Sequence, residues 1–252
     1  METSLSEDRL SRISTIWSMV LKANQGGVAG DADALEEMIH RYHGAVYRYF
    51  LGAVRNNDTA DELFQEFALR FARGGFRNAD PGKGRFRDFL RTVLINLIHD
   101  YGRAKKRQMD ALSPDSPEPA DSSDCVSLED SFVMSWRDEL LDRAWRRLAE
   151  LEAREGQPYH TILRYRSEHP DARSGEIATA MTDHLQPATP FTDVGIRKLL
   201  QRAREQFSDD LIEEVSVSLS SPDITRIEEE LIDLDLLAFC KSALDRRRER
   251  PS

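Results

Sequence analysis

The spacing of the apolar residues constrains the fold more than any other feature of this sequence. Between residues 35 and 101, apolar side chains recur at intervals of three and four in three successive segments, whereas no long segment of the chain alternates with a period of two. The three stripes consist of Leu35, Met38, Ile39, Tyr42, Val46, Tyr49, Phe50 and Ala53; of Leu63, Phe64, Phe67 and Phe71; and of Phe86, Phe89, Leu90, Val93, Leu94, Leu97, Ile98 and Tyr101. Such spacing places the apolar side chains on one face of a helix. The sequence therefore predicts an all-α fold, with an earlier helix over Arg12–Asn24.

The helical pattern is interrupted between Gln108 and Ser135. This segment holds seven acids and no base, and its centre reads SPDSPEPADSSD. Because it has little to bury, it cannot offset the entropy of ordering, and the composition predicts a flexible acidic linker. Periodicity then resumes at Leu140 and predicts helices at Tyr159–Ser167, at Ser174–Asp183 and from Thr192 or Asp193 onward. We expect two helical domains, at 1–107 and 136–210, followed by an acidic amphipathic C-terminal extension at 211–252.

Charge is segregated along the chain. The net charge is -10, which by itself argues against a nucleic-acid partner. Residues 85–107, however, carry seven Lys/Arg against two Asp, and residues 197–204 carry four Lys/Arg and no acid. A nucleic-acid surface needs only a local basic field, so both segments are candidates for one.

Several classes of protein are disfavoured by the residues that the sequence lacks. Its two cysteines, Cys125 and Cys240, are far apart, and no acid or cysteine at ligand spacing joins His40 and His43. The N-terminus lacks the plan of a signal peptide, and no apolar run approaches the roughly 20 residues that span a bilayer. Ser, His and Asp occur without a nucleophile elbow. We expect a cytoplasmic protein without catalytic residues, metal, cofactor or membrane contact.

The last two helices of the second predicted domain suggest a helix-turn-helix. Glu176-Ile177-Ala178 lies on the first of them, and the second presents Arg197, Gln201 and Arg204 on its outer face. Arginine pairs with guanine and glutamine with adenine in the major groove. An ordinary amphipathic helix with a solvated basic face explains the same residues equally well, and the connection Thr182–Phe191 is longer than a tight turn.

The third helix of the first domain carries a second candidate surface. Its non-core positions hold Arg87, Arg91, Asn96, His99 and Arg103, and a glycine-rich basic loop at 73–85 precedes it. A basic loop beside a cationic helix suits unpaired or flipped bases. A phosphate-binding P-loop is disfavoured, because Gly82-Lys83-Gly84 lacks the earlier glycine, the following Ser/Thr and the preceding strand.

Three segments resemble conserved regions of one protein family. Thr59-Ala-Asp-Glu-Leu-Phe-Gln-Glu66 resembles region 2.2 of the sigma-70 family of RNA polymerase sigma factors. The segment from Phe86 to Asn96, with Asp100-Tyr101 and the basic cluster after it, resembles regions 2.3 and 2.4. Gln201-Arg-Ala-Arg-Glu-Gln-Phe207 is similar to the end of the region 4 recognition helix. With the linker in place, the pattern is similar to the extracytoplasmic-function (ECF) type.

The resemblance implies a factor that binds RNA polymerase core, through its β′ and β subunits, and directs it to promoter DNA. The residues implied to bind core polymerase are Asp61, Glu62, Gln65 and Glu66. Those implied to contact the -10 element are Lys83, Arg85, Arg87, Arg91, Asn96 and Arg103, and those implied to contact the -35 element are Thr192, Arg197, Lys198, Gln201 and Arg204. Without the family context, the acidic positions are most simply a solvated helix face. The resemblance also admits an anti-sigma factor or a Ser/Thr kinase as a partner.

Three questions stay open from the sequence: the class of function, the role of Thr59 and the role of the C-terminal extension. A stand-alone helix-turn-helix regulator binds duplex DNA without polymerase, and a helical adaptor binds only proteins. Thr59 stands where the family has an acid, which suggests a regulatory phosphorylation site; the alternative is a helix N-cap. The extension at Ser208–Ser252 has a net charge of -6. It either covers a basic surface with outward-facing acids at Glu228, Glu229, Glu230, Asp233 and Asp235 or packs as a further core helix.

Overall fold

The computed structural model describes residues 32–73, 80, 82, 84–112 and 124–249. Within these ranges the regular structure is helical throughout, which confirms the predicted all-α class. The helices are α1 (Ala32–Val54), α2 (Asn57–Ala72), α3 (Phe86–Leu112), α4 (Asp124–Glu155), α5 (Tyr159–Glu168), α6 (Ser174–Leu185), α7 (Asp193–Ser218), α8 (Ile224–Asp233) and α9 (Leu237–Glu249). The helix predicted at Arg12–Asn24 lies outside the described residues.

Helix replaces the predicted flexible linker at both of its ends. Helix α3 continues to Leu112, and α4 begins at Asp124. The reason is local, because Phe132, Trp136 and Leu140 follow one another at intervals of four and form a buried stripe on α4. The acidic composition of the segment predicted a linker in spite of this stripe. Residues 113–123, which hold the proline-rich part of the predicted linker, lie outside the described residues.

The chain divides into two compact units. Among the described residues, one unit contains those up to Glu139 together with 216–226, and the other contains 140–215 and 227–249. The core of the first unit is built from α1, α2, α3 and the beginning of α4. Aromatic rings dominate it: Tyr42 stacks on Trp136 with centroids 4.8 Å apart, and Phe132 meets the ring of Tyr49 edge-on at 5.3 Å.

Helices α1 and α4 approach closely at Gly44. A Cβ at this position would overlap Oε2 of Glu139, so a larger residue would have to displace that carboxylate. The same carboxylate oxygen accepts a hydrogen bond of 2.8 Å from Nη2 of Arg48, and the Glu139 side chain is only 7% exposed. The small residue therefore makes room for an ion pair between the two helices.

Helices α5, α6 and α7 enclose one hydrophobic cluster of the second unit, which is largely aliphatic. Its buried members are Ile162, Ile177, Ala178, Met181, Ile196, Leu200 and Ala203. A hydrogen bond holds the end of the connection between α6 and α7 against α6: the amide of Phe191 donates to Oγ1 of Thr182 at 2.9 Å. Ile196, Leu200 and Ala203, on the predicted buried edge of α7, pack in this cluster with residues of α5 and α6. The polar positions of α7 face away from them.

The C-terminal extension folds back on the second half of α7. Oγ of Ser208 donates to the carbonyl of Phe239 at 2.8 Å, and Nη2 of Arg246 lies 3.3 Å from Oδ2 of Asp209. Cys240 of α9 is fully buried, and this burial raises the pKa of its thiol to about 12. These contacts favour the alternative in which the extension completes a helical core.

One detail of the covering hypothesis is wrong. The acids of α8 were predicted to face outward, but Glu230 is only 1% exposed, because it lies one turn from the buried Ile227 and next to the buried Leu231. Glu228, in turn, pairs with Arg248 of α9, so its charge is directed at the extension itself.

Candidate protein and nucleic-acid interfaces

Helix α2 separates its apolar residues from its acids. Ala60, Leu63 and Phe67 are buried, whereas Asp61, Glu62 and Gln65 are exposed. The helix begins at a cap made by Asn56, whose Oδ1 accepts a hydrogen bond of 2.9 Å from the amide of Thr59. The intervals of three and four that bury one side of α2 thus leave three of its four predicted protein-binding side chains in solvent.

The fourth predicted residue, Glu66, belongs to a network between α2 and α3. Its Oε1 accepts from Nε of Arg70 at 2.7 Å, and Nη1 of Arg70 lies 3.3 Å from Oδ2 of Asp100. The other carboxylate oxygen of Asp100 accepts from Nη2 of Arg103 at 3.2 Å. The network thus joins a predicted protein-binding residue to a predicted DNA-binding residue.

Arg70 and Asp100 had no predicted role in this site. The hydrogen bond to Glu66 raises the pKa of Arg70 above its ordinary value, and Asp100 adds to this effect while burial opposes it. The signal in the sequence was the interval of four between Glu66 and Arg70, which is typical of an ion pair along a helix. The pairing of Arg70 with Asp100, 30 residues away, required the tertiary structure.

Asp61 of α2 interacts electrostatically with Tyr47 of α1. Partial desolvation, the charge of Asp61 and a hydrogen bond to its carboxylate together raise the pKa of the Tyr47 phenol. The Asp61 side chain itself stays exposed. Tyr47 is a third residue, after Arg70 and Asp100, that the sequence did not connect with the acidic face of α2, which consists of Asp61, Glu62 and Glu66.

The predicted -10 surface is exposed along much of α3. Asn96, His99 and Arg103 are exposed, and the half-buried Arg91 lies 3.8 Å from the carboxylate of Asp88. Arg85, just before the helix, is half-buried. Lys83 lies outside the described residues, as do residues 74–79 of the loop.

The prediction for Arg87 is wrong as to its place on the helix. Arg87 was expected on the non-core face, but it is only 5% exposed. The physical reason is its position three residues before Leu90 and seven before Leu94, which puts it on the stripe that packs into the core. Arg87 is therefore not available to DNA as the structure stands.

Thr59 is not the N-cap of α2, contrary to one of the two alternatives. That role belongs to Asn56, and Thr59 is inside the first turn. Its hydroxyl is 3.4 Å from the hydroxyl of Tyr101 on α3. A regulatory role for Thr59 stays a prediction.

The polar face of α7 carries the second group of predicted DNA contacts. Thr192 caps the helix, since its Oγ1 accepts from the amide of Gly195 at 3.1 Å. Nη2 of Arg197 lies 2.9 Å from Oδ2 of Asp193, and Nε2 of Gln201 donates to Oε1 of Glu205 at 3.0 Å. All the predicted side chains here are exposed, namely Thr192, Arg197, Lys198, Gln201 and Arg204.

Two further arginines share a groove with α7. Arg166 at the end of α5 and Arg173 before α6 line this groove together with Arg197 and Arg204. The guanidinium of Arg166 donates to the carbonyl of Ala172, which fixes its position in the connection between α5 and α6. The cationic surface is therefore wider than α7 alone, although Asp171 and Asp193 also line the groove.

Neither interface resembles a metal centre, and none of the described helices is built for a bilayer. Among the described residues, no group of three or more His, Cys, Asp or Glu side chains is arranged to hold a metal ion. Within the same ranges, no helix combines the length and the apolar composition that crossing a membrane requires.

Comparison with known proteins gave a match for one part of the chain. Residues 38–108 match the family model described as Sigma-70 region 2. The match runs from Met38 in α1 through α2 and along most of α3, and so includes the acidic face, the network of Glu66 and the exposed face of α3. Neither the curated proteins nor the solved structures gave a match. This part of the chain is therefore similar to region 2 of the sigma-70 family of sigma factors.

Proposed function

We propose that this chain is a sigma factor of the ECF type, which binds RNA polymerase core and directs it to promoters. The observation that carries the proposal is the Sigma-70 region 2 match at residues 38–108, which contains the exposed acidic face of α2. The protein acts by recruitment and has no catalytic residues of its own. Promoter recognition at two elements, -10 and -35, is divided between its two units.

The acidic face of α2 binds the β′ subunit of core polymerase. Carboxylates on an exposed helix face form charge-assisted hydrogen bonds with arginines of a partner. Asp61 is exposed beside Tyr47, and Glu66, which accepts a hydrogen bond from Arg70, has less rotamer freedom to lose on binding. Glu62 and Gln65, which are exposed beside them, complete the contact.

The DNA contacts lie on α3 and α7. The basic loop at 73–85 and Asn96 hold an unpaired base of the -10 element, and Arg103, oriented by Asp100, meets the phosphate backbone. The polar face of α7 enters the major groove at the -35 element, where Arg197 and Gln201 contact base edges and Lys198 and Arg204 meet phosphates. Its packing on α5 and α6 supports this role, because a recognition helix needs a rigid brace.

Transcription in vitro tests the proposal directly. The full chain, core polymerase and a library of promoter sequences are combined, and the transcripts are sequenced. We expect transcripts from a subset of the library that share two sequence elements, and only when the chain is present. Transcription that is independent of the chain, or its failure to bind core polymerase, would contradict the proposal.

Promoter opening is tested separately at the basic loop. In Lys83→Ala, removal of a positive charge from this loop should lower the permanganate reactivity of thymines in the -10 region, since the unpaired bases are held less tightly. Lys241→Ala is the matched control, because Lys241 is exposed on α9 and has no proposed DNA contact. Equal thymine reactivity in the two variants would refute the role of the loop.

A stand-alone DNA-binding regulator is the second candidate. It is favoured by the second unit, where α5, α6 and α7 share a hydrophobic cluster and present four arginines around one groove. Such a regulator would bind its duplex site equally well with and without core polymerase. A sigma factor, by contrast, would bind a promoter tightly only in the presence of core polymerase, and a mobility-shift assay with both mixtures separates the two candidates.

A further inference from the structure

An apolar side chain occupies the centre of the polar face of α7. Val194 is 53% exposed, although it lies in the first turn of a helix whose neighbouring exposed residues are polar or charged. A helix turns by about 100° per residue, so Lys198 and Gln201 fall within about 40° of Val194, whereas Ala203 falls on the opposite side. Ala203 is fully buried. Val194 therefore points directly away from the core of its unit.

The fold gives no reason for valine at this position. The core residues that α7 contributes are Ile196, Leu200 and Ala203, with Leu199 packed at their edge, and Val194 is not among them. A β-branched residue also loses side-chain freedom in a helix, so a straight polar residue would suit an exposed position better. Its exposed methyl groups are thus available to a partner.

The surroundings of Val194 are suited to duplex DNA. Arg197 stands one turn further along and is oriented by Asp193, with 2.9 Å between the paired atoms. Lys198 and Gln201 extend the same face. Cations on both sides of an apolar group fit a groove with charged walls and base edges at its floor, and the first turn of a recognition helix is the part that approaches those edges.

We propose that Val194 recognises the 5-methyl group of a thymine in the -35 element, and so contributes to promoter specificity by an apolar contact. The inference rests on the proposed function, because it requires α7 to enter the major groove. Thymine is the base that presents a methyl group there, and apolar side chains distinguish it by burying that group. The contact complements Arg197 and Gln201, which recognise hydrogen-bonding groups.

Replacement of thymine by deoxyuridine provides the test, because it removes the methyl group and leaves the base-pairing edge unchanged. The preferred -35 sequence is first selected from a random duplex library with the full chain and core polymerase. Each thymine in it is then replaced singly, and binding is measured for the unaltered chain, for Val194→Ala and for Val194→Thr. At one position, the replacement should weaken binding of the unaltered chain about fourfold, as expected when one buried carbon is removed.

The variants identify the side chain that senses the methyl group. Val194→Ala should bind the thymine and deoxyuridine duplexes equally at that position, and the nearly isosteric Val194→Thr should discriminate less than valine does. Leu185→Ala is the matched control, because Leu185 is also an exposed apolar residue of the second unit but lies on α6. It should keep the full discrimination.

The outcomes separate this inference from the function on which it rests. Sequence-specific binding with no sensitivity to any thymine replacement, or undiminished discrimination by Val194→Ala, would overturn the role of Val194 and leave the proposed function intact. Failure of the unaltered chain and core polymerase to select any duplex sequence would overturn the role of α7, and that of Val194 with it.

Discussion

The buried side chains of the two units are of different types. In the first, the beginning of α4 packs on α1 through aromatic rings, with Trp136 stacked on Tyr42 and Phe132 against Tyr49. In the second, the core of α5, α6 and α7 is built from aliphatic residues, and its aromatic Tyr159, Tyr165 and Phe191 lie at the edge. Large rings concentrate much buried area in few residues, whereas the aliphatic core spreads it over many. Single substitutions should therefore damage the first unit more.

The exposed faces of α2 in the first unit and of α7 in the second carry opposite charges. Helix α2 presents Asp61 and Glu62, whereas α7 presents Arg197, Lys198 and Arg204. Both faces arise from the same intervals of three and four, so helical periodicity does not choose the partner. The residue types at the exposed positions choose it, because acids attract a cationic protein surface and cations attract phosphate.

The largest expected effect tests whether the two halves of α4 stabilise different units. In Trp136→Ala, removal of the buried ring should lower the free energy of unfolding of the first unit by about 3–5 kcal/mol. Trp145→Ala is the matched control on the same helix: its ring is half-buried and contacts Phe207, with centroids 4.8 Å apart, in the second unit. We expect this control to cost about 1–3 kcal/mol.

Hydrogen exchange resolved by residue measures both variants. Trp136→Ala should speed exchange in α1, α2 and α3, and Trp145→Ala in α5 and α7. If both substitutions affected the same helices, the division of α4 between two separately stabilised cores would be wrong.

The second prediction concerns the opposite charges. Reversing the charge in Glu62→Lys together with Gln65→Ala should weaken binding to core polymerase, at a cost of about 1.5–3 kcal/mol for each charge-assisted hydrogen bond that is removed. Arg197→Ala should leave core binding unchanged and alter the preferred -35 sequence. A pull-down with core polymerase, together with circular dichroism to check the helicity of each variant, provides the measurement. Undiminished core binding by the doubly substituted chain would sink the assignment of α2.

A third prediction tests the close approach of α1 and α4. Gly44→Ala places a methyl group against Oε2 of Glu139, and displacing that carboxylate breaks its bond to Arg48. The cost should be about 1–3 kcal/mol, since a buried charge is separated from its partner. At Gly52 of the same helix nothing lies within 4 Å of a Cβ. Gly52→Ala should instead stabilise the unit by about 0.5–1 kcal/mol, because alanine loses less entropy in a helix. Urea unfolding measures the free energy of unfolding of both variants. If the two substitutions changed it in the same direction, the close packing at Gly44 would be contradicted.

The smallest expected effect is a pH dependence of the second unit. Burial raises the pKa of Asp210 to about 6, and a hydrogen bond from Gln206 and the charge of Arg147 oppose this shift only in part. The folded state thus holds the proton more tightly than the unfolded chain. The associated stability is present below the ordinary pKa of 3.8 and is lost as the pH rises to about 6.

Asp210→Asn should remove this dependence, because asparagine does not ionise but keeps an oxygen that accepts from Gln206. Above pH 6 the variant should be more stable than the unaltered chain by about 1–2 kcal/mol, allowing for partial solvation of the carboxyl. Thermal unfolding between about pH 4 and pH 8 measures the difference, with Asp183→Asn on the surface of α6 as the control. If the stability of Asp210→Asn changed with pH as steeply as that of the unaltered chain, another group would be responsible for the pH dependence.

Much of the architecture could be predicted because it depends on local periodicity. The stripe from Met38 to Phe50 is buried in α1 as expected, and the buried edge of α7 holds Ile196, Leu200 and Ala203. The start of α7 after Thr192 was also predicted, since a threonine oxygen at that position caps an amide of the first turn. Each of these features involves residues within a few helical turns of one another.

Prediction from the sequence failed where composition and charge were used in place of spacing. The acids between Gln108 and Ser135 suggested a linker, although Phe132 and Trp136 continue a helical stripe with Leu140. Arg87 was assigned to the surface because it is charged, although its spacing from Leu90 and Leu94 places it on the buried side. In both cases the positions of the residues were better evidence than their polarity.

The sequence by itself determined the helices, most of their buried faces and the signs of their exposed faces, because these follow from residues close together in the chain. Only the tertiary structure decided which distant side chains meet: Trp136 with Tyr42, Glu139 with Arg48, and Arg70 with Asp100. It also showed α9 against α7, where the sequence had left covering and packing equally open. The physical reason is that such contacts depend on how helices pack against one another, and any of several exposed acids could have satisfied a given arginine equally well.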